Sequence, residues 1–119
     1  MADGRELRAR TKQFALRILR LYRGLPAKEE ARILGRQVLR SGTSVGANYR
    51  AACRARSRAE FIAKLGIVLE EADETVFWLE LLLEGGIVKH EKLDALLKEA
   101  EELTAIFVTS LRTAKGVAA

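Results

Sequence analysis

Two side chains in this sequence are capable of nucleophilic or acid–base work near neutral pH, and neither has the company that work requires. Cys53 and His90 are the one cysteine and the one histidine among 119 residues. A thiolate–imidazole pair needs the two groups within hydrogen-bond reach and a third group to orient the ring. The hydrophobic pattern places them on different helices, with no orienting acid beside either. Cys53 adjoins an apolar stripe, where a thiol is buried and inert, and His90 opens a helix as a solvated surface residue. A single cysteine excludes an internal disulfide, and one Cys with one His does not make a metal cage within one chain. The cluster Glu70-Glu71, Asp73-Glu74 has carboxylates at helical spacing, but di-iron sites in helical proteins pair Glu with a His three residues on. This segment has no histidine, so it reads as a solvated acidic face. No G-x-x-x-x-G-K-[ST] phosphate loop is present. The expectation is a protein that is not an enzyme, with no catalytic residue, no metal and no cofactor.

Arginine carries the sharper signal. At about 100° per residue, Arg32, Arg36, Arg40, Arg50, Arg54 and Arg58 fall within a sector of roughly 80° of one predicted helix. Leu34, Val38, Val45 and Tyr49 lie opposite. The row extends for about 40 Å at ~1.5 Å per residue. Guanidinium groups stay charged and grip phosphate oxygens with two N–H donors, so such a row suits a nucleic-acid backbone. The first helix adds Arg5, Arg8, Arg10, Lys12, Arg17, Arg20 and Arg23, all away from its apolar side. No aromatic residue is interleaved with the row, so bases have no stacking platform and binding would read backbone and shape.

Charge is divided along the chain in the same sense. Residues 1–58 hold 15 Lys and Arg against 4 Asp and Glu, net +11, whereas residues 59–119 hold 6 against 12, net −6. The arginine row therefore has three readings: it binds RNA, DNA or an acidic protein partner; it pairs with the acidic half of its own or a neighbouring chain; or it is a solvated face.

The elements that must position these residues are helical. The chain is 49% hydrophobic and 31% charged with one proline, too apolar for a disordered tail and the right length for one domain. Apolar residues recur at three- and four-residue steps in four segments, about 5–23, 27–56, 58–84 and 89–113. Leu7, Phe14, Ile18, Leu21 and Leu25 mark the first, which Gly24-Leu25-Pro26 ends. Leu34, Val38, Ser41, Val45, Tyr49 and Ala52 mark the second, continuous across Ser41-Gly42-Thr43-Ser44, with glycines that let a neighbouring backbone approach. A capping box, Ser57-Arg58-Ala59-Glu60, opens the third, followed by Phe61, Leu65, Val68, Ala72, Val76, Leu79 and Leu83, with Gly85-Gly86 as its stop. Leu93, Leu96, Ala100, Leu103, Phe107 and Ser110 mark the fourth, and the tail from Ala114 is expected to fray. Short loops make sequential helices antiparallel, so the fold class is all-α: an up-down-up-down four-helix bundle in one domain, 1–119. The sequence shows neither the apolar core of a signal peptide nor a run of roughly 18 apolar residues, so a cytoplasmic protein without membrane contact is expected.

One stretch breaks the amphipathic pattern. In Thr75-Val76-Phe77-Trp78-Leu79-Glu80-Leu81-Leu82-Leu83, large apolar residues surround the helix. With Val76, Leu79 and Leu83 facing the core, Phe77, Trp78, Leu81 and Leu82 are left for solvent unless covered, which marks them as an oligomer interface. Asn48 falls on the core side, where its amide needs a partner; a helix-packing hydrogen bond beside Ser41, Ser44 and Gly46 is expected.

The blocks Arg40-Ser-Gly-Thr-Ser-Val-Gly-Ala-Asn-Tyr49, Ser57-Arg-Ala-Glu-Phe-Ile-Ala-Lys-Leu65 and Glu74-Thr-Val-Phe-Trp-Leu-Glu-Leu-Leu82 resemble the bacterial four-helix-bundle proteins encoded in intervening sequences of large-subunit ribosomal RNA genes. That family is also similar to the accessory variability protein of diversity-generating retroelements, a basic, ring-forming pentamer that partners a reverse transcriptase and nucleic acid. The resemblance implies a homopentamer without enzymatic activity, and nucleic acid and a reverse transcriptase as partners. Many members carry Glu two residues after the Asn-Tyr pair. Here Asn48-Tyr49 is followed by Arg50-Ala51-Ala52, so no role of that glutamate transfers. The combined expectation is a non-catalytic oligomeric scaffold that binds nucleic acid without sequence preference or assists a nucleic-acid enzyme. The alternative is an adaptor whose arginine face meets an acidic protein.

Overall fold

Helix ends fall where local chemistry stops the hydrogen-bond ladder. The computed structural model describes residues 4–116, and these form α1 (Arg5–Arg23), α2 (Glu29–Cys53), α3 (Arg58–Glu84) and α4 (His90–Lys115), with no strand among them. Gly24 closes α1, its N–H shared among carbonyls of the last turn. Gly86, at φ 74°, turns the chain so that Ile87 and Val88 both donate to the Leu82 carbonyl. At the start of α3, the Ser57 hydroxyl accepts from the Glu60 N–H at 3.1 Å. The return bond differs from the expected box: the Glu60 carboxylate accepts from the Arg56 N–H, one residue earlier.

The second helix is shorter than the expected 27–56. It begins at Glu29 and stops at Cys53, because Ser57 must be extended to cap α3. α2 is unbroken through Ser41–Ser44. At the other terminus, α4 continues to Lys115 and Gly116 caps it in the left-handed region, so fraying does not begin at Ala114. Residues 117–119 lie outside the described residues.

Each helix touches its sequence neighbours, and α1 meets α4 along the thinnest of the four seams, giving the up-down-up-down order in a body of 45 × 25 × 20 Å. Phe14, Ile18, Val38, Val45, Leu65, Val68, Leu79, Leu93, Leu103 and Phe107 fill the interior. Full burial of each such side chain contributes about 1.5–3 kcal/mol before chain entropy is set against it. No helix of the described residues is long and apolar enough to cross a membrane.

The α3 seam runs in a different phase from the expected one. Its buried residues are Leu65, Val68, Ala72, Thr75, Leu79 and Leu82, a strict alternation of three- and four-residue steps. Val76 and Leu83 are half-buried flanks. Thr75 takes the core position because Ser41 stands opposite: its hydroxyl is hydrogen-bonded to the Ser41 hydroxyl at 2.8 Å and to the Glu71 carbonyl at 2.7 Å. With both groups satisfied, the polar pair is tolerated inside the α2–α3 seam.

The α1–α2 seam is close because glycine forms one side of it. A Cβ on Gly42 would sit 2.8 Å from Ile18 Cγ1, and one on Gly35 would sit 2.6 Å from Leu25 Cδ1. At Gly46 the nearest atom is the Thr11 carbonyl oxygen, at 3.3 Å from such a Cβ, so here backbone meets backbone.

Candidate functional site

The six arginines do not share one fate, and the neighbouring helix decides each case. At 100° per residue, Arg36 and Arg54 project from the middle of the sector, Arg32 and Arg50 lean toward α1, and Arg40 leans toward α3. On the α3 side there are acids. Arg40 is hydrogen-bonded to both Glu71 and Glu74, with Nη1 at 3.3 Å from Glu71 Oε1. Glu74 also accepts from the Trp78 indole N–H at 3.3 Å. The segment expected to be a solvated acidic face therefore includes two carboxylates that clamp an arginine.

Arg58 departs further from expectation. It is the first residue of α3 rather than the end of the α2 row, and its Nε and Nη2 donate to the Ala114 carbonyl at 2.9 and 2.6 Å. It caps the last turn of α4, where free carbonyls and the negative end of the helix dipole favour a cation. Arg54 lies just past the end of α2, as its C-cap.

Four members of the row are left. Arg32, Arg36, Arg50 and Arg54 are exposed, and their side chains make no hydrogen bond or ion pair among the described residues. The structure adds two cations that the single-helix reading did not place in the site. Arg8 and Lys12 of α1 stand with Arg50 around a groove of about 330 Å³ whose floor is Ala15, Thr43, Gly46 and Ala47. The signal for this was the small-residue run beside Arg50, which lets α1 draw near and bring its cations to the same face. Arg10, by contrast, faces the other way: its guanidinium donates to Glu99 at 2.8 and 2.7 Å and to Glu102 at 3.3 Å. That hydrogen-bonded pair holds the Glu99 carboxyl below its ordinary range against the opposing effect of burial, with the nearby charge of Arg17 helping.

The apolar patch also divides. Phe77 is half exposed and meets Trp78 edge-on, ring centroids 5.0 Å apart; Ile67 is exposed as well. Trp78 and Leu81 are half-buried. Leu82 is fully buried, so it belongs to the core and not to an outward interface. The error has one cause: where seven of nine residues are apolar, hydrophobicity does not define the phase of the helix. Asn48 also differs from expectation. It is half-buried, and its Nδ2 donates to the Ser44 carbonyl of its own helix at 2.9 Å rather than to a neighbour.

Cys53 and His90 lie at opposite ends of the bundle, since α3 separates the end of α2 from the start of α4 by its full length, about 40 Å at ~1.5 Å per residue. The His90 ring lies 3.3 Å from Asp94 in solvent, so the two residues do not form a nucleophile–base pair within one chain.

Residues 6–109 match the model of the 23S rRNA-intervening sequence protein family. The chain belongs to that family. A crystal structure of a protein of unknown function from the S23 ribosomal protein family, from Bacteroides thetaiotaomicron VPI-5482, is 36% identical in sequence and superposes with a TM-score of 0.85 over 93% of this chain and 99% of that one. No curated protein matches. Membership in the 23S rRNA-intervening sequence protein family accounts for the four helices and their order. It leaves the partner of the basic face to be argued from the face itself.

Proposed function

We propose that this protein is a non-catalytic, cytoplasmic scaffold whose α1–α2 face binds the phosphate backbone of RNA or DNA, as an accessory to a nucleic-acid enzyme of the reverse transcriptase kind. One observation carries the reading: Arg32, Arg36, Arg50 and Arg54 are exposed and have no counter-ion among the described residues, with Arg8 and Lys12 beside Arg50. Arg32 and Arg50, like Arg36 and Arg54, are five helical turns apart, about 27 Å, most of one ~34 Å turn of a duplex. Cations so spaced release condensed counterions on binding, which gives affinity without base readout.

Self-association belongs to this reading. Phe77, Trp78, Leu81 and Ile67 form the partly exposed apolar strip of α3, a surface that a second copy would cover while leaving the α1–α2 arginines free. Head-to-tail contacts form rings when the rotation between copies closes, and the resemblance to the retroelement accessory protein makes five the expected number.

Binding of a generic duplex and a single strand at ~50 and ~200 mM salt tests the proposal. Four to six phosphate contacts give a loss of about 10²–10³-fold between the two conditions, and Arg36→Glu with Arg54→Glu abolishes binding. Absence of binding at the lower salt overturns it. A partner that copurifies through nuclease treatment would instead favour an adaptor for an acidic protein. Light scattering reads the assembly, which Phe77→Glu should reduce to ~13 kDa particles with helicity retained.

A further inference from the structure

The thin α1–α4 seam opens at one end into a cleft of about 520 Å³. Its position follows from the two loops at that end: α1 stops at Gly24 and α4 starts only at His90, so the last turn of α1 and the first turns of α4 are bridged by loop residues instead of packing on each other. Leu21, Ile87, Val88 and Leu96 give the cleft an apolar interior. Toward the middle of the bundle, the hydrogen-bonded clasp of Arg10 with Glu99 and Glu102 closes the seam. The open space is therefore short, of the size that holds a small molecule, and does not continue as a groove for a partner helix.

The rim is all of one sign. Arg17, Arg20, Lys89 and Lys92 line the cleft and no acidic side chain does, among the described residues. Residues 59–119 carry net charge −6 and only six Lys and Arg, yet two of those six, Lys89 and Lys92, stand here. Arg20, Lys89 and Lys92 make no ion pair among the described residues, and Arg17 has only the more distant charge of Glu99. A ring of cations around aliphatic side chains is complementary to one class of small molecule: an apolar body carrying a single anionic group at the cleft mouth.

We infer that this cleft is a binding site for a small amphiphilic carboxylate, with its aliphatic body against Leu21, Ile87, Val88 and Leu96 and its carboxylate among Arg20, Lys89 and Lys92. The site is separate from the α1–α2 face, so it stands whether or not that face binds nucleic acid.

Calorimetric titration of the full chain with decanoate, decanol and decyltrimethylammonium, below their micelle concentrations, tests it, with amide chemical shifts locating the ligand. The expected order is decanoate first, decanol weaker by about tenfold, and the cation weakest, since hydrogen bonds to a charged group are worth about that factor or more. Shifts should centre on Leu21, Leu25, Ile87 and Val88. The triple variant Arg20→Gln, Lys89→Gln, Lys92→Gln, at three exposed positions, should bring decanoate down to the affinity of decanol and leave decanol unchanged. Equal binding of all three probes, shifts centred on Phe77 instead, or no saturable decanoate binding overturns the inference.

Discussion

Arg40 and Arg36 sit one turn apart on the same helix, and the two edges of α2 treat them differently. On the α3 edge, Glu71 and Glu74 stand within reach and Arg40 is spent on holding two helices together. On the α1 edge the neighbour supplies Arg8 and Lys12 beside Arg50 instead, and Arg36, Arg50 and Arg54 are left without a counter-ion among the described residues. A cation's availability is thus set by the helix across the seam and not by its own. An arginine row read from one helix overstates the binding surface at one edge and understates it at the other.

Charge substitutions at the two edges of α2 should therefore differ in effect. Arg36→Glu and Arg50→Glu together should weaken duplex binding by at least about 100-fold and lower the salt slope by about 0.9 for each phosphate contact removed. Arg40→Gln should leave binding within a few-fold while lowering the denaturation midpoint. Comparable losses in both variants would show that the edges are equivalent after all.

The α1 edge depends on close approach, so Gly42→Ala should destabilise by about 1–3 kcal/mol in urea denaturation, because the new methyl meets the branched Ile18. This is despite a helix-propensity gain of up to ~1 kcal/mol. Ile18→Ala, which removes both clashing Cγ atoms, should cost less in the Gly42→Ala background than alone, a positive coupling in the double-mutant cycle. On the α3 edge, Thr75→Val removes the buried partner of Ser41 and should cost about 1–2 kcal/mol, with helix content unchanged by circular dichroism.

The smallest effect concerns the clasp of α1 on α4. Glu99 titrates below its ordinary value when folded, so its contribution is present above the ordinary carboxylate range and is lost as pH falls through the folded value. Acid titration of stability should flatten in Glu99→Gln over that interval, and an unchanged profile would show the clasp to be inert.

These contrasts also mark what one chain's sequence can disclose. Apolar spacing located all four helices, and Leu65, Val68 and Ala72 gave the correct phase for the first half of α3, because Glu70, Glu71 and Asp73 mark the outer side there. Past Ala72 that boundary disappears: Leu81, Leu82 and Leu83 are equally apolar, and Thr75 is polar yet buried. Its burial depends on Ser41, 34 positions away, a partner invisible to any periodicity within one helix. The same holds for Arg40 with Glu71 and for Arg58 with Ala114. Properties of a single helix were legible, whereas those created by two helices meeting were legible only where glycine announced the meeting.

The thin α1–α4 seam bears on the order in which the molecule comes apart. A four-membered bundle has two terminal elements, and each needs a second neighbour to be held on both flanks. α1 leans chiefly on α2, so its detachment exposes less interior than the loss of any central rod. In native-state hydrogen exchange its amides should form the lowest-energy cooperative unit, opening while α2 and α3 stay protected. Two of the three cations on the basic groove, Arg8 and Lys12, ride on that unit, so anything that grips the groove from outside should also fasten α1 down.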